Sequence, residues 1–478
     1  MRADSIARPP IWLAACITLL MGLMFVSNDS LWIDEGNAAS KALQSTIGDW
    51  YSALVSQGGS DAQMPGYMLY IWAWAKFAGH GEFALRASNI PWLVLAIFSL
   101  RRTPFLWLAL LASPFVLYYL NELRPYLMQI AGAAVVLSAF PEGESPLETR
   151  WRRFLFGNLI LCASSLTGVI WSAGALISYL AFHPFIYRNK ALWRDLLVSS
   201  PLFLLLGAYY LQTLLKGQGA ALMGGELALS FAACAYELTG LMGLGPGRIE
   251  LREHPKSVVN YALPLAAGVL IFGSAYVAGL IGIVKRTPRK TLVIIAIGIA
   301  MPLAMLVALV VFKDFRLLAR HLAPLSVLMA WPLASLLALS AASHRHHRRW
   351  RTVGCCAILL GLVSASALRL AERHKKDAYR DAAAMAKAAL SNGRRVFWAA
   401  DVHTADYYGL VPGESGIHFI QSKNTFPGIQ GTDVFIMTKP DIVDPDGSLS
   451  RELEARNFRT IRVLPAFTIW ECFDSIAK

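Results

Sequence analysis

Apolar residues do not alternate with polar ones along most of this chain. They come in long runs: Ile11–Val26, Phe83–Leu100, Phe105–Leu120, Pro125–Phe140, Phe154–Ile186, Leu196–Leu215, Val258–Val284, Leu292–Phe312, Leu322–Ala341 and Val353–Leu370. Each is much longer than a barrel strand, and most reach the length a helix needs to cross a bilayer. Phe154–Ile186 holds two spans with a tight turn near Thr167-Gly168, so the pattern predicts about eleven spans. Pro65–Ala78 is apolar and aromatic but short, and reads as a helix lying in or near the interface.

The polar breaks set the orientation. Arg101-Arg102, Arg150 with Arg152 and Arg153, Arg188 with Lys190 and Arg194, Lys285-Arg286 with Arg289-Lys290, and the His344–Arg351 stretch all fall on one side. Cytoplasmic loops carry such an excess of Lys and Arg. Arg2 and Arg8 then place the N-terminus inside. The C-terminus lies outside, with two long outer loops at residues 27–82 and 216–257. The first run lacks a small-residue cleavage site and reads as a retained span.

After Leu370 the pattern changes. Residues 371–478 are polar, and no stretch of them could span. Asp377–Leu390 is Ala-rich and helix-like, and Ser448–Arg456 suits a helix. Val396–Ala400, His418–Gln421 and Val434–Thr438 read as short buried strands, and Thr460–Leu464 with Thr468–Phe473 as a hairpin. Strands alternating with helices predict a small α/β domain. The domain reading is therefore 1–370 transmembrane and 371–478 α/β.

Composition agrees with that class. The 478 residues are 56% hydrophobic and 16% charged, with mean hydropathy +0.47. Soluble domains are nearer half apolar and a quarter charged. In a soluble chain the net charge of +13 would suggest nucleic acid. Here the basic loops explain much of it, so no nucleic-acid partner is expected. The six cysteines show no CxxC and no metal spacing.

Candidate chemistry gathers on the outer face. Leu31-Trp32-Ile33-Asp34-Glu35-Gly36 puts two adjacent acids just past the first span. Ionisable residues beside a membrane are costly and are functional candidates by default, although many spans simply end in an acid. Adjacent carboxylates could also hold a divalent cation, but no further outer ligand set is evident. Arg124 precedes Pro125 at a helix start. It reads as a phosphate grip through two parallel hydrogen bonds, or as an interfacial Arg snorkelling to headgroups. Lys313, Arg316 and Arg320 would share one face if the segment were helical, a cluster against the positive-inside bias that, with His321, suits a lipid-linked phosphate or anionic headgroups. Glu82 and Arg86 stand four apart as an intrahelical pair that also shapes the cavity. Tyr67, in the turn Gln63-Met64-Pro65-Gly66-Tyr67, and Tyr126 are candidates to line a sugar site.

In order, these pieces are an acidic pair after the first span, a Pro-Gly-Tyr turn, Glu82-Phe83-Ala84-Leu85-Arg86, Arg124-Pro125-Tyr126 and Arg320-His321-Leu322-Ala323-Pro324. The ordered set resembles the GT-C glycosyltransferases of the family 39 type, which include protein O-mannosyltransferases and lipid A aminoarabinose transferases. The resemblance runs over about Trp12 to Leu339, and the tail resembles the small periplasmic domains of bacterial members. Gln63-Met64-Pro65 departs from the family's His-Pro-Pro, and Arg320-His321 from its Arg-Tyr. The resemblance implies a GT-C fold in a bacterial inner membrane, with the active site and the C-terminal domain periplasmic. It implies a polyprenyl-phosphate sugar donor held by Arg124 and Arg320, with Asp34 as the catalytic Asp, the base for the acceptor, and Glu35 as a second carboxylate. The acceptor would be a hydroxyl of a lipid, glycan or protein. The rival functions are a polymerase or ligase using a pyrophosphate-linked oligosaccharide lipid, and a flippase without chemistry.

Overall fold

A computed structural model describes residues 10–140, 146–184, 188–216, 226–341, 348–411, 413, 415–420, 430–439, 443–444 and 446–472. Arg2, Arg8, Gly217-Gln218-Gly219, Gly224-Gly225, His344 to His347 and Lys478 lie outside the described residues.

In chain order the helices begin α1 Ile11–Phe25, α2 Ile33–Ala42, α3 Ile47–Gln57, α4 Pro65–Ala78, α5 Glu82–Arg86, α6 Ile90–Leu100, α7 Leu106–Leu111 and α8 Pro114–Leu120. They continue α9 Tyr126–Leu137, α10 Leu147–Ser164, α11 Leu166–Phe182, α12 Lys190–Leu215, α13 Leu227–Leu238, α14 Arg248–Glu253, α15 Ala262–Arg286, α16 Arg289–Lys313, α17 Leu325–Ala341 and α18 Arg348–Leu370. The tail adds α19 Tyr379–Ser391, β1 Val396–Ala399, α20 Val402–Tyr407, β2 Ile417–Phe419, β3 Val434–Thr438, α21 Ser448–Ala455, β4 Phe458–Leu464 and β5 Phe467–Cys472.

Two compact units emerge. One holds Met1–Ser27, Tyr51–Trp74 and Arg86–His374; the other holds Asn28–Trp50, Ala75–Leu85 and Lys375–Lys478. The second is built from three separate segments, so parts of the first outer loop share a unit with the sheet.

The first unit is a polytopic helical membrane domain. The apolar runs read from the sequence are mostly helical among the described residues. Among the described residues, five helices have the length and composition to cross a bilayer, and shorter apolar helices stand between them. Leu197, Val198, Leu204, Leu205, Leu211 and Leu215 of α12 are exposed, the outward apolar surface that lipid covers and water would not tolerate. Glycines bring helices close, as bilayer helices require. A Cβ on Gly132 would come 3.0 Å from the Gly157 carbonyl, and one on Gly174 would come 2.5 Å from the Gly298 carbonyl.

Two breaks shape the bundle. Ser165, extended at φ −172, separates α10 from α11 and caps the latter by accepting from the Gly168 N–H at 3.2 Å. The run Phe105–Leu120 is two helices instead of one. Pro114 opens α8, because proline has no N–H to extend the preceding helix and its ring crowds the carbonyl four residues back.

The second unit carries a five-stranded sheet in the order β2-β1-β3-β5-β4. β2, β1 and β3 are parallel, and β5 runs antiparallel to both β3 and β4. β1 and β3 are buried along their whole length, as strands covered on both faces must be. Val396, Trp398 and Ile436 meet α19 on one face, and Phe397, Phe435 and Met437 meet α21 on the other.

Candidate functional site

In the membrane unit the site is built around the turn between α8 and α9. Arg124 is 2% exposed. Its Nη1 donates to Asp61 Oδ1 at 2.6 Å and its Nη2 to Ser60 Oγ at 2.9 Å. Ser60 and Asp61 sit in a 3-10 turn entered through Gly58 and Gly59, both with positive φ (60° and 71°), a conformation glycine adopts without strain. The turn thus offers both oxygens to one planar fork. Around it, Asn89 Nδ2 donates to the Leu120 and Glu122 carbonyls. The Ser27 N–H donates to Asn121 Oδ1 at 2.8 Å. Arg86, fully buried, donates to the Ser27 carbonyl at 3.3 Å. The ends of α1 and α6 therefore hold the turn that presents Arg124.

Lys313, Arg316 and Arg320 do not share a helical face, a correction to the sequence reading. α16 stops at Lys313 because Asp314 turns left-handed (φ 52°), and the 3-10 turn Ala319–Leu322 follows. Lys313 and Arg316 are exposed, whereas Arg320 and His321 are half-buried. His321 Nδ1 accepts the Leu318 N–H at 3.1 Å, and its carbonyl accepts from Trp171 Nε1 at 2.9 Å. Burial, then the charges of Arg320 and Arg124, push the His321 pKa down to about 3. Two arginines far apart in sequence thus act on one neutral imidazole.

The loop 216–257 is in part helical among the described residues. α13 packs against the Ala319–Leu322 turn. Arg248, opening α14, donates to Glu237 Oε2 at 2.7 Å and to the Tyr119 hydroxyl at 2.9 Å, and lies 3.7 Å from Glu122 Oε1. Tyr126 packs edge-on to Tyr119, with centroids 4.8 Å apart, and Tyr67 is buried in α4 near Tyr70.

Beneath the His321 turn lies an apolar cavity of about 420 Å³, within the usual size of ligand pockets. Trp171, Pro324 and Val327 line it toward that turn, and Thr103, Phe140 and Phe182 line its far end. Trp171 and Phe182 are eleven positions apart on α11, about 16 Å at 1.5 Å per residue. The cavity is a slot running along the span.

The sheet unit holds the acids. Asp34 and Glu35 open α2, where carboxylates suit the helix dipole. Their surroundings differ. Glu35 is fully buried. Its Oε2 accepts the Trp32 N–H at 3.4 Å and pairs with Lys376 Nζ at 3.6 Å. Asp34 is half-exposed. Glu82 Oε1 meets Arg380 Nη1 and the Tyr408 hydroxyl, each at 3.2 Å.

The structure thus groups Arg124, Arg320 and His321 in one unit, with Tyr67, Arg86 and Tyr126 elsewhere in it, and Asp34, Glu35 and Glu82 in the other. Sequence reasoning passed over Asp61, Ser60, Glu122, Glu237 and Arg248. The Gly58-Gly59-Ser60-Asp61 turn and the acid two places before Arg124 were the available signals. Among the described residues no group of three or more His, Cys, Asp or Glu is set to hold a metal ion. Cys16, Cys355 and Cys356 are exposed on their helices.

No protein-family model matches the chain, and no curated protein matches it in sequence. Among solved structures it is similar to ArnT from Cupriavidus metallidurans bound to undecaprenyl phosphate, at 13% identity and TM-score 0.52, over 96% of this chain and 97% of that one. It is similar to the apo state of ArnT at 12% identity and TM-score 0.52, over the same shares. The arabinofuranosyltransferase AftD from mycobacteria is similar at 15% identity and TM-score 0.48, over 98% of this chain and 40% of that one. At such identities the likeness is one of architecture. The chain has the GT-C fold, a helical membrane domain with a small C-terminal α/β domain.

Proposed function

We propose that this protein is a membrane glycosyltransferase that moves a sugar from a polyprenyl-phosphate donor to a hydroxyl on a lipid, glycan or protein. One observation carries the reading: the half-buried Arg320-His321 turn, which the charge of buried Arg124 reaches, is hydrogen-bonded to Trp171 in the wall of an apolar slot between spans. A lipid phosphate has that combination of parts, an anionic head and a long hydrocarbon tail. That ArnT has been solved with undecaprenyl phosphate bound supports the choice of lipid.

The chemistry follows from the donor. An anomeric phosphate ester loses a phosphate, a weak base that departs without a proton but needs cations as its charge develops. In this reading Arg124 and Arg320 supply them. The acceptor hydroxyl needs a base, and Asp34 takes that proton. One base and one cationic clamp give a single displacement with inversion. Because Nδ1 of the neutral His321 imidazole accepts the Leu318 N–H, its proton sits on Nε2, which can donate to a phosphate oxygen.

Mass spectrometry of lipid co-purified with the protein tests the reading. A sugar-bearing polyprenyl monophosphate is the expected result. A pyrophosphate-linked oligosaccharide would replace the transferase with a ligase or polymerase, and lipid without turnover would leave a flippase.

The same reading puts the protein in a bacterial inner membrane with the acids and the tail outside. A reporter fused after Lys478 should then signal from the periplasm, and one within residues 344–351 from the cytoplasm. A cytoplasmic signal at Lys478 would overturn the orientation.

A further inference from the structure

We propose that the C-terminal α/β domain is the positioning device for the Asp34 carboxylate, an inference that rests on Asp34 being the base. The observation is the set of groups around that residue. Positions on both sides of Asp34, from Leu31 to Gly36, are held by residues of the tail.

The Leu31 N–H donates to the Tyr408 hydroxyl at 2.7 Å. Tyr408 in turn donates to Glu82 Oε1 at 3.2 Å, which also takes Arg380. The Ile33 carbonyl lies 3.3 Å from the Thr404 hydroxyl, and the Ile33 side chain packs on the core beneath α19 and α20. Glu35 pairs with Lys376. Gly36 leaves no room for a Cβ, which would overlap the Thr404 side chain. Farther back, Ser30 Oγ accepts the Arg380 N–H at 3.0 Å, and Arg380 Nη1 donates to the Asn28 carbonyl at 2.9 Å.

The anchor is itself fixed. Asp401 caps α20, accepting from both the N–H and the hydroxyl of Thr404 at 2.7 Å. α20 leaves the carboxyl end of β1, the end of a parallel sheet at which α/β folds usually carry ligands. Here the helix that starts there carries α2. A backbone held just before and just after Asp34 fixes the point from which that side chain starts. A base must be held near its productive geometry to be efficient. Tyr408, Thr404, Lys376 and Arg380 are therefore positioning residues. They act through α2 and touch no reacting atom.

The test uses the full-length protein in nanodiscs. Gly36→Ala inserts a methyl between α2 and Thr404, and Gly36→Ala/Thr404→Gly gives the space back. Tyr408→Phe keeps the ring and removes only the hydroxyl. Three quantities are read: hydrogen exchange of the α2 amides, binding of undecaprenyl phosphate, and donor turnover in native membranes as release of polyprenyl phosphate. Gly36→Ala should raise α2 exchange about tenfold or more, since local opening reports the lost docking. It should slow turnover by about tenfold or more and leave undecaprenyl phosphate binding within about twofold, because a mispositioned base costs chemistry and not donor binding. The double variant should recover exchange and turnover in part, because it restores the space but gives up the Thr404 hydroxyl beside the Ile33 carbonyl. In an Asp34→Asn background Gly36→Ala should slow turnover no further, since the two act through one group. Tyr408→Phe should show the same split in milder form, and it decides the matter if Gly36→Ala does not fold. Loosened α2 with wild-type turnover would overturn this inference alone. Wild-type turnover in Asp34→Asn would overturn the reading beneath it, and the inference with it.

Discussion

Asp34→Asn should lower sugar transfer by roughly 10²–10⁴-fold, the usual worth of a general base, while binding of undecaprenyl phosphate stays near wild type. Asn preserves the shape of the side chain and removes its basicity. The structure separates this residue from its neighbour in a useful way. Glu35 is fully buried, with its carboxylate engaged by the Trp32 N–H and Lys376. Asp34, one position earlier and about 100° around the helix, is half-exposed. Glu35→Gln should therefore act mainly on the seating of α2, with a smaller loss of rate. Both quantities are measured on the same purified variants. If Asp34→Asn transfers at the wild-type rate, the base lies elsewhere. If it loses lipid binding as well, Asp34 serves structure, and the mechanism proposed above is wrong.

Arg320→Ala should weaken undecaprenyl phosphate binding by roughly 30- to 1,000-fold, which corresponds to about 2–4 kcal/mol for a charge-assisted contact in a desolvated recess. Arg124→Ala should lose as much, but it also does something else. Asp61 is 3% exposed and spends its carboxylate on Arg124 at 2.6 Å. Removing one partner of such a pair strands the other, at about 3–5 kcal/mol of stability. Arg124→Ala/Asp61→Asn separates the two effects, because it removes the stranded charge and should recover thermal stability without recovering binding. Lys at either arginine should rescue only in part, since an ammonium cannot grip two oxygens in one plane. Wild-type binding in both single Ala variants would remove the phosphate role assigned to these residues.

The ten apolar runs were legible as helices because run length is a coarse signal that survives local irregularity. The tail strands were legible for the opposite reason, being short, strongly apolar and bounded by turns. Two features failed to show. Hydropathy cannot see a backbone break inside an all-apolar run, so Phe105–Leu120 read as one span although Pro114 restarts the helix. Nor does spacing by three and four prove a helix: Lys313, Arg316 and Arg320 have it, but Asp314 is left-handed. Arg124 was a candidate because Pro125 marks a helix start, and Arg320 because its cluster defies the charge bias expected of its loop. Asp61 was missed because nothing in a Gly-Ser turn predicts a partner 63 positions away. The same holds for Glu35 and Lys376, and for Leu31 and Tyr408, which lie 377 positions apart. Long-range pairs leave no periodicity to read.

The three-segment unit sets a timetable for synthesis. Ser30 meets the backbone of Arg380 across 350 positions. At about 5–20 residues per second, the ribosome needs roughly 20–70 s to make the chain between them. Throughout that interval α2 has left the ribosome without the sheet on which it docks, and a loop of that length must then close. A chain stopped before Tyr379 would insert its spans and carry both acids yet lack the clasp that completes α2. If Asp34 is the base as proposed, nascent and truncated copies would be inactive until the α/β domain has folded.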